Sequence, residues 1–183
     1  RRPTTTVMSR ADPGAGPAPR RAVVAAYAGV VCDLDGVVYR GSHAIPHAVP
    51  ALRAAGEVAR VVYATNNASR TPAEVAGHLT RLGLDASAAD VRTSAQAGAA
   101  ELARRLPAGA RVLAVGGPGV ADALRSVGLT ATTDGEVAGV LQGWGAQVRV
   151  ADLAAAAIAV QRGAVWVATN RDLTLPTEAG IVP

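Results

Sequence analysis

The sequence has 183 residues, of which 50% are apolar and 17% charged. This length and apolar fraction are sufficient for a folded core. No apolar run is long enough for a transmembrane helix. All eighteen cationic residues are Arg, and five of them lie in the first 21 residues. The net charge of +4 therefore comes from the N-terminal segment, and the rest of the chain has no net charge. This distribution excludes a basic nucleic-acid-binding face on the folded part. The single cysteine, Cys32, excludes an internal disulfide and a multi-cysteine metal site, and we expect a cytoplasmic protein.

Residues 1–21 mix Pro, Gly, Ala and Arg without an apolar period, and this composition predicts a flexible leader. The following stretch from Arg20 to Cys32 has the outline of a signal peptide, because two Arg precede a ten-residue apolar run that ends at a Cys. Val30 and Val31 stand where a lipidated signal has small residues. We therefore interpret the run as a strand and keep export as the minor alternative.

From residue 22 onward, apolar runs typical of strands alternate with helical patterns. The predicted strands are residues 28–34, 60–65, 111–115, 139–142 and 164–169. Alternation of this kind predicts an α/β fold with a mostly parallel sheet.

The predicted helices lie between these strands and have clear start and stop residues. The pattern from Thr71 to Glu74 is a capping box with Pro at the first helical position. Ser94 is predicted to cap a second helix, which ends before Pro107. A third helix is predicted over residues 151–161.

Two carboxylates follow the first predicted strand directly. Asp33 and Asp35 are two residues apart, and Gly36 comes next. Ligands of open α/β sheets bind at the carboxyl ends of strands, which is where these two side chains are expected. Asp and Gly at a strand end also form ordinary turns, so this motif alone leaves both interpretations open.

A second predicted strand ends in a similar way. Thr65, Asn66 and Asn67 follow the apolar run that begins at residue 60, and a helix opens shortly afterwards. Hydroxyl groups and free backbone N–H groups near a helix start favour anion binding. An Asx turn followed by a helix cap is the alternative, but two such strand ends in order are a stronger signal than one.

These segments, DLDGVVYRG from Asp33 and ATNNASR from Ala64, resemble the first two motifs of the haloacid dehalogenase superfamily of phosphohydrolases. The similarity is greatest to its class IIA branch of nitrophenyl-phosphate, phosphoglycolate and glycerol-phosphate phosphatases. Residues 166–178, WVATNRDLTLPTE, resemble the segment with which the inserted cap domain of that branch closes. The resemblance covers about residues 28–183 and implies the N-terminal part of a Rossmann-like core with an inserted α/β C2-type cap.

The resemblance implies a role for each residue of the two motifs. Asp33 would be the nucleophile that forms an aspartyl-phosphate, and Asp35 the general acid and then the base. Mg²⁺ would bind the Asp33 carboxylate and the Asp35 backbone carbonyl, and the substrate would be a small phosphorylated metabolite. The Thr65 hydroxyl and the Asn66 amide would hold phosphoryl oxygens.

The resemblance also implies a division of the chain. Residues 22–107 would belong to the core, 108–179 to the cap, and 180–183 to the start of the return to the core. Asn170 and Asp172 would face the site and select the substrate, although turn preferences alone also explain this loop. Members of the branch often pair through their caps, so a homodimer is expected.

Two motifs of the family are missing from this sequence. One supplies a Lys, and the chain has none; the other supplies further Asp residues, and Glu178 is the only acidic residue after Asp172. We therefore expect a C-terminally truncated piece that is marginally stable and nearly inactive. The alternative function is a catalytically dead module that binds phosphate through Thr65 and Asn66.

Overall fold

The computed structural model describes residues 23–172, 175–177 and 180–182, so the predicted leader over residues 1–21 lies outside it. In chain order the strands are Gly29–Asp33 (β1), Tyr39–Arg40 (β2), His43–Ala44 (β3), Arg60–Thr65 (β4), Val91–Thr93 (β5), Arg111–Val115 (β6), Thr130–Thr132 (β7), Gly139–Gln142 (β8), Val165–Ala168 (β9), Leu175–Thr177 (β10) and Gly180–Val182 (β11). The α-helices are Ala48–Gly56 (α1), Pro72–Arg81 (α2), Ser94–Arg105 (α3), Pro118–Ser126 (α4) and Val150–Gln161 (α5).

The larger strands form two separate parallel sheets. The first has the order β1-β4-β5, and the second has the order β7-β6-β8-β9. Two short antiparallel pairs, β2 with β3 and β10 with β11, accompany them. The α/β class with a mostly parallel sheet is thereby confirmed. Of the described helices, none is long and apolar enough to cross a bilayer.

The predicted strands match the observed ones closely. Those over residues 60–65, 111–115 and 139–142 have the predicted bounds, whereas the first and the last are shorter, at Gly29–Asp33 and Val165–Ala168. The sequence did not indicate the two-residue strands β2 and β3, because two residues are too few to show an alternating pattern.

Helix α2 begins as predicted. The Thr71 hydroxyl accepts from the Glu74 backbone N–H at 3.2 Å, and the Glu74 carboxylate accepts from the Thr71 N–H at 2.7 Å. Pro72 occupies the first helical position, where its missing N–H would have had no intrahelical partner. The chain leaves the helix through Gly83, whose φ of 93° suits a residue without a Cβ.

The prediction that Ser94 caps helix α3 is wrong by one residue. Thr93 is the cap: its hydroxyl accepts from the Gln96 N–H at 3.2 Å, and the Gln96 side chain accepts from the Thr93 N–H at 2.9 Å. Thr93 takes this place because the capping box needs Glu or Gln three residues later, and only Thr93 has that spacing to Gln96. The Ser94 hydroxyl is therefore free for another contact.

Each sheet has its own apolar core. The first core is built around fully buried residues such as Leu34, Leu79 and Val91. Helix α3 packs with α4 over the second sheet, where Leu102 and Leu141 belong to one buried cluster. The division at residue 107 stays a prediction. We call the part of the chain that builds the second sheet and its core the second unit. Because α3 contributes to that core, we propose that the second unit begins at the start of α3.

Candidate active site

The carboxyl ends of β1 and β4 lie side by side because the two strands are parallel neighbours. Asp33 is paired in register with Ala64, one residue before Thr65. After Asp33 the chain turns sharply through Gly36, whose φ is 82°. The Leu34 carbonyl accepts the Val38 N–H at 2.9 Å and so closes the turn. The first two predicted motifs therefore meet at one edge of the sheet.

The acid/base candidate Asp35 is held by the second motif. The Thr65 hydroxyl donates to Asp35 Oδ2 at 3.2 Å and accepts from the Asn67 backbone N–H at 3.0 Å. The Asn67 bond leaves the hydroxyl proton directed at the carboxylate. Thr65 is buried, so this arrangement is fixed by the packing around it. The contact joins the two motifs directly.

The environment of Asp35 favours the protonated acid. Partial burial of the carboxyl group is the main cause that raises the pKa of Asp35, and the negative charge of Asp33 adds to it. The hydrogen bond from Thr65 and the positive charge of Arg70 oppose the rise in pKa without cancelling it. A carboxyl group with a raised pKa is suited to proton donation.

Asp33 is exposed at the end of β1 and is oriented by its own backbone. Its Oδ1 accepts from the Leu34 N–H at 2.8 Å. That bond leaves the other carboxylate oxygen without a partner among the described residues. An exposed carboxylate with one anchored oxygen is suited to attack on phosphorus or to metal binding.

The loop between β4 and α2 is stiffened by Asn67. Its Oδ1 accepts from the Ser69 N–H at 3.0 Å and from the Ser69 hydroxyl at 2.6 Å. These bonds fix the backbone of residues 67–69, directly after Asn66. The predicted phosphate-binding segment thus has a defined conformation.

Asn66 is contacted by residues from distant parts of the chain. Its backbone carbonyl accepts from the Ser94 hydroxyl at 2.7 Å and from Asn170 Nδ2 at 3.0 Å. Its side-chain amide makes a longer contact, 3.4 Å, to Asp172 Oδ2. The structure therefore brings Asn170 and Asp172, the two candidates for substrate selection, to the phosphate-binding loop.

Among the described residues, no group of three or more His, Cys, Asp and Glu side chains is arranged to hold a metal ion. Asp33 and Asp35 nevertheless present oxygen donors at one strand end. Mg²⁺ is commonly held by one or two carboxylates together with waters and substrate phosphate. The donor set of these two residues fits Mg²⁺ on that basis.

A buried aromatic pair behind Asp35 was not singled out from the sequence. Tyr39 and His78 pack edge to face, with ring centroids 4.6 Å apart and planes at 81°. Burial raises the pKa of Tyr39, and burial together with the positive charge of Arg70 lowers the pKa of His78. Helical spacing was the available signal, since His78 follows the buried Val75 by three residues on α2.

A family model described as haloacid dehalogenase-like hydrolase matches residues 30–130, which include both motifs. The chain belongs to this family. The family resemblance that the two motifs carried is thereby confirmed, and the two parallel sheets agree with the Rossmann-like architecture expected of a haloacid dehalogenase-like hydrolase.

Individual relatives of this haloacid dehalogenase-like chain are phosphatases. It is 44% identical over 156 residues to a D-glycerol 3-phosphate phosphatase of Mycobacterium tuberculosis, covering 84% of this chain and 44% of the relative. It is 36% identical over 158 residues to an acid sugar phosphatase of Staphylococcus saprophyticus, covering 86% and 61%. A crystal structure of the glycerol phosphate phosphatase from M. tuberculosis in complex with magnesium superposes with a TM-score of 0.83 at 42% identity, covering 88% and 49%.

The chain thus spans about half the length of the M. tuberculosis relative that it matches. These likenesses extend the confirmed resemblance to the branch that contains glycerol-phosphate phosphatases. They also agree with the choice of Mg²⁺ as the metal to be tested, since the superposed relative was solved with it.

Proposed function

We propose that the protein containing these residues is a Mg²⁺-dependent phosphatase of small phosphorylated metabolites. The observation that carries the proposal is the bond from the Thr65 hydroxyl to Asp35, which joins the two motifs at the strand end that also bears the exposed Asp33. A carboxylate nucleophile and a nearby proton donor suit the cleavage of a phosphate ester.

In the first half-reaction, a free oxygen of Asp33 attacks phosphorus and the bond to the ester oxygen breaks. Asp35 donates its proton to the leaving alkoxide, so the alcohol departs neutral. In the second half-reaction, Asp35 takes a proton from water, whose oxygen attacks phosphorus and releases Asp33 and inorganic phosphate. The Asn66 amide holds phosphoryl oxygens throughout, and the Thr65 hydroxyl does so when its one proton turns from Asp35 to the phosphoryl group.

Asp33 and the backbone carbonyl of Asp35 would hold Mg²⁺. When bound, the ion offsets the repulsion between the Asp33 carboxylate and the anionic phosphoryl group. The ion would supply positive charge at a strand end that carries two carboxyl groups, those of Asp33 and Asp35.

The likeness to a glycerol phosphate phosphatase and an acid sugar phosphatase supports a narrower substrate class. We infer a small phosphorylated polyol or sugar. Asn170 and Asp172, which border Asn66, are proposed to face its non-phosphate part. Pairing of two copies through the second unit and a cytoplasmic location complete the proposal.

A catalytically dead phosphate-binding module is the second candidate. The observation that favours it is that the loop after β4 is held by hydrogen bonds of Asn67 and Ser94 that do not involve Asp33 or Asp35. Because these 183 residues contain no Lys, and the family uses a Lys to neutralise the phosphorylated aspartate, we expect almost no turnover by the 183-residue chain itself.

Turnover of 4-nitrophenyl phosphate separates the two candidates. In the full gene product with Mg²⁺, we expect nitrophenolate release that Asp33→Asn abolishes and that Asp35→Asn lowers about 10²- to 10⁴-fold. The 183-residue chain should stay near the blank rate. Binding of inorganic phosphate without turnover by the full gene product would reject the phosphatase and support the binding module.

A further inference from the structure

We propose that Ser94 and Asn170 are positioning residues that fix the phosphate-binding loop by holding one atom, the backbone carbonyl oxygen of Asn66. The proposal rests on the proposed function for its consequence, phosphate affinity, but its structural content stands on hydrogen bonds alone. Neither residue touches the nucleophile Asp33 in the contacts of the described chain, so both act through Asn66.

The two donors satisfy the carbonyl completely. A backbone carbonyl has two lone pairs, and here the Ser94 hydroxyl takes one at 2.7 Å while Asn170 Nδ2 takes the other at 3.0 Å. Ser94 is available because Thr93 already caps α3. Ser94 and Asn170 are half-buried, whereas Asn66 and both hydrogen bonds are exposed to solvent.

The orientation of the Asn170 amide is fixed by a second bond. Asn170 Oδ1 accepts from the Asp172 backbone N–H at 3.1 Å. With the amide reversed, its oxygen would face the Asn66 carbonyl and its nitrogen would face an N–H group, so both bonds would be lost. The donor is therefore set toward Asn66 by the loop that follows β9.

Ser94 and Asn170 lie at the two ends of the second unit. Ser94 is the first residue of α3, where the chain enters the second core, and Asn170 comes two residues after β9, the last strand of the second sheet. The residues at both ends of that unit therefore donate to the same atom, the Asn66 carbonyl oxygen. A displacement of the second unit must strain or break these bonds, so its position is transmitted to Asn66.

Hydrogen exchange of two loop amides tests the proposal directly. The N–H groups of Asn67 and Ser69 donate to Thr65 Oγ1 and Asn67 Oδ1, both at 3.0 Å, and they report on the loop that Asn66 begins. In Ser94→Ala and Asn170→Ala variants of the chain, we expect these amides to exchange roughly two- to tenfold faster, as loss of one hydrogen bond predicts. Ser94→Thr, which keeps the hydroxyl, should restore the slow exchange.

Ser126→Ala is the matched control. Its hydroxyl also donates to a backbone carbonyl at 2.7 Å, that of Ala123 within α4, so the same type of bond is removed elsewhere. This variant should leave the Asn67 and Ser69 amides unchanged. Amides of the fully buried Val112 and Leu141 in the second sheet report global opening in every variant.

Affinity for inorganic phosphate, measured by titration with Mg²⁺ present, is the second readout. We expect each alanine variant to bind phosphate two- to tenfold more weakly than the unaltered chain, and the double variant to lose less than the product of the two effects because both donors act on one atom. Unchanged exchange at Asn67 and Ser69 in both variants, or an equal change in Ser126→Ala, overturns the proposal. Faster exchange without any phosphate binding supports the positioning role and rejects the phosphate site.

Discussion

At the scale of single residues, Asp35, the proposed proton donor, affects the stability of the folded chain through its pKa. The pKa of Asp35 is raised by burial, so the ionised carboxylate is less stable in the folded chain than in the unfolded chain. A residue placed for chemistry at the expense of stability is common at active sites.

Replacing Asp35 by Asn should therefore stabilise the folded chain at pH 7. Asn keeps an acceptor for the Thr65 hydroxyl and removes the charge near Asp33. The sign follows from linkage: the penalty for the ionised Asp35 is complete above its raised folded pKa and vanishes below its ordinary value of 3.8. The gain in unfolding free energy should accordingly shrink as the pH falls toward 3.8, as measured by urea unfolding.

Asp122→Asn on the exposed surface of α4 serves as the control for that measurement. It removes one carboxylate without touching Asp35. A stability gain of equal size and pH dependence in Asp122→Asn would show that net charge, and not the site, explains the effect.

Single residues also show where sequence patterns stop being informative. Asp33 and Asp35 could be selected as candidates because two carboxylates directly follow an apolar strand, although an ordinary turn explains the same pattern and their roles stay predictions. The true cap Thr93 was recoverable from its spacing to Gln96, which the assignment to Ser94 overlooked. The contact from Ser94 to Asn66 was not predictable, because the two residues are 28 positions apart and a local sequence pattern gives no information on a contact at that distance.

At the scale of elements, the first turn of α4 lies against the loop that follows β4, the predicted phosphate-binding loop, without side chains between them. The Gly119 N–H donates to the Ser69 carbonyl at 3.2 Å. A Cβ at Gly119 would overlap the Arg70 carbonyl oxygen and lie 2.6 Å from that of Ala68. At Gly117, a Cβ would lie 2.7 Å from Ser69 Cα. The helix therefore meets the loop backbone to backbone.

Gly119→Ala should lower the unfolding free energy by about 1–3 kcal/mol, since the added methyl group forces two backbones apart. Gly77→Ala in α2 is the matched control, because its Cβ would meet only the end of Arg81 at 3.7 Å. That change should stabilise by roughly 0.5–1 kcal/mol through helix propensity. Denaturant melts of both variants check the pair, and a destabilisation of similar size in each would contradict the packing argument.

Most helices and strands could be predicted from the sequence. Three strands of the two parallel sheets have the predicted bounds, because buried parallel strands form continuous apolar runs between polar turns. The sequence indicated that a loop joins β6 to a helix. It did not indicate that this loop packs on residues 68–70 of the second motif, because the sequence GGPG over residues 116–119 is equally typical of an isolated turn.

At the scale of the whole molecule, one edge of the first sheet is open. β1 pairs with β4 on one side and with no strand among the described residues on the other. Val31 at its centre is 75% exposed, and Val23, Tyr27 and Val58 are exposed as well. An open strand edge beside exposed apolar side chains favours association of copies.

Val31→Glu should therefore reduce self-association of the 183-residue chain without lowering its unfolding free energy by more than about 0.5 kcal/mol. Light scattering against concentration measures the first effect, and a urea melt measures the second. Val150→Glu is the control, since Val150 is 83% exposed at the start of α5, away from the first sheet. Equal suppression by both variants would mean that added charge alone, and not the edge, controls association.

The backbone contact between Gly119 and residues 68–70, called the joint below, has a consequence for how the sequence of such a protein can change in evolution. Main-chain atoms are the same in every sequence, so a joint made from them survives exchange of the side chains around it. Exposed side chains near the loop that do not hold the Asn66 carbonyl, such as that of Asp172, can then change while the two sheets keep their alignment. Under the proposed function, such surface substitutions would retune one scaffold toward different esters.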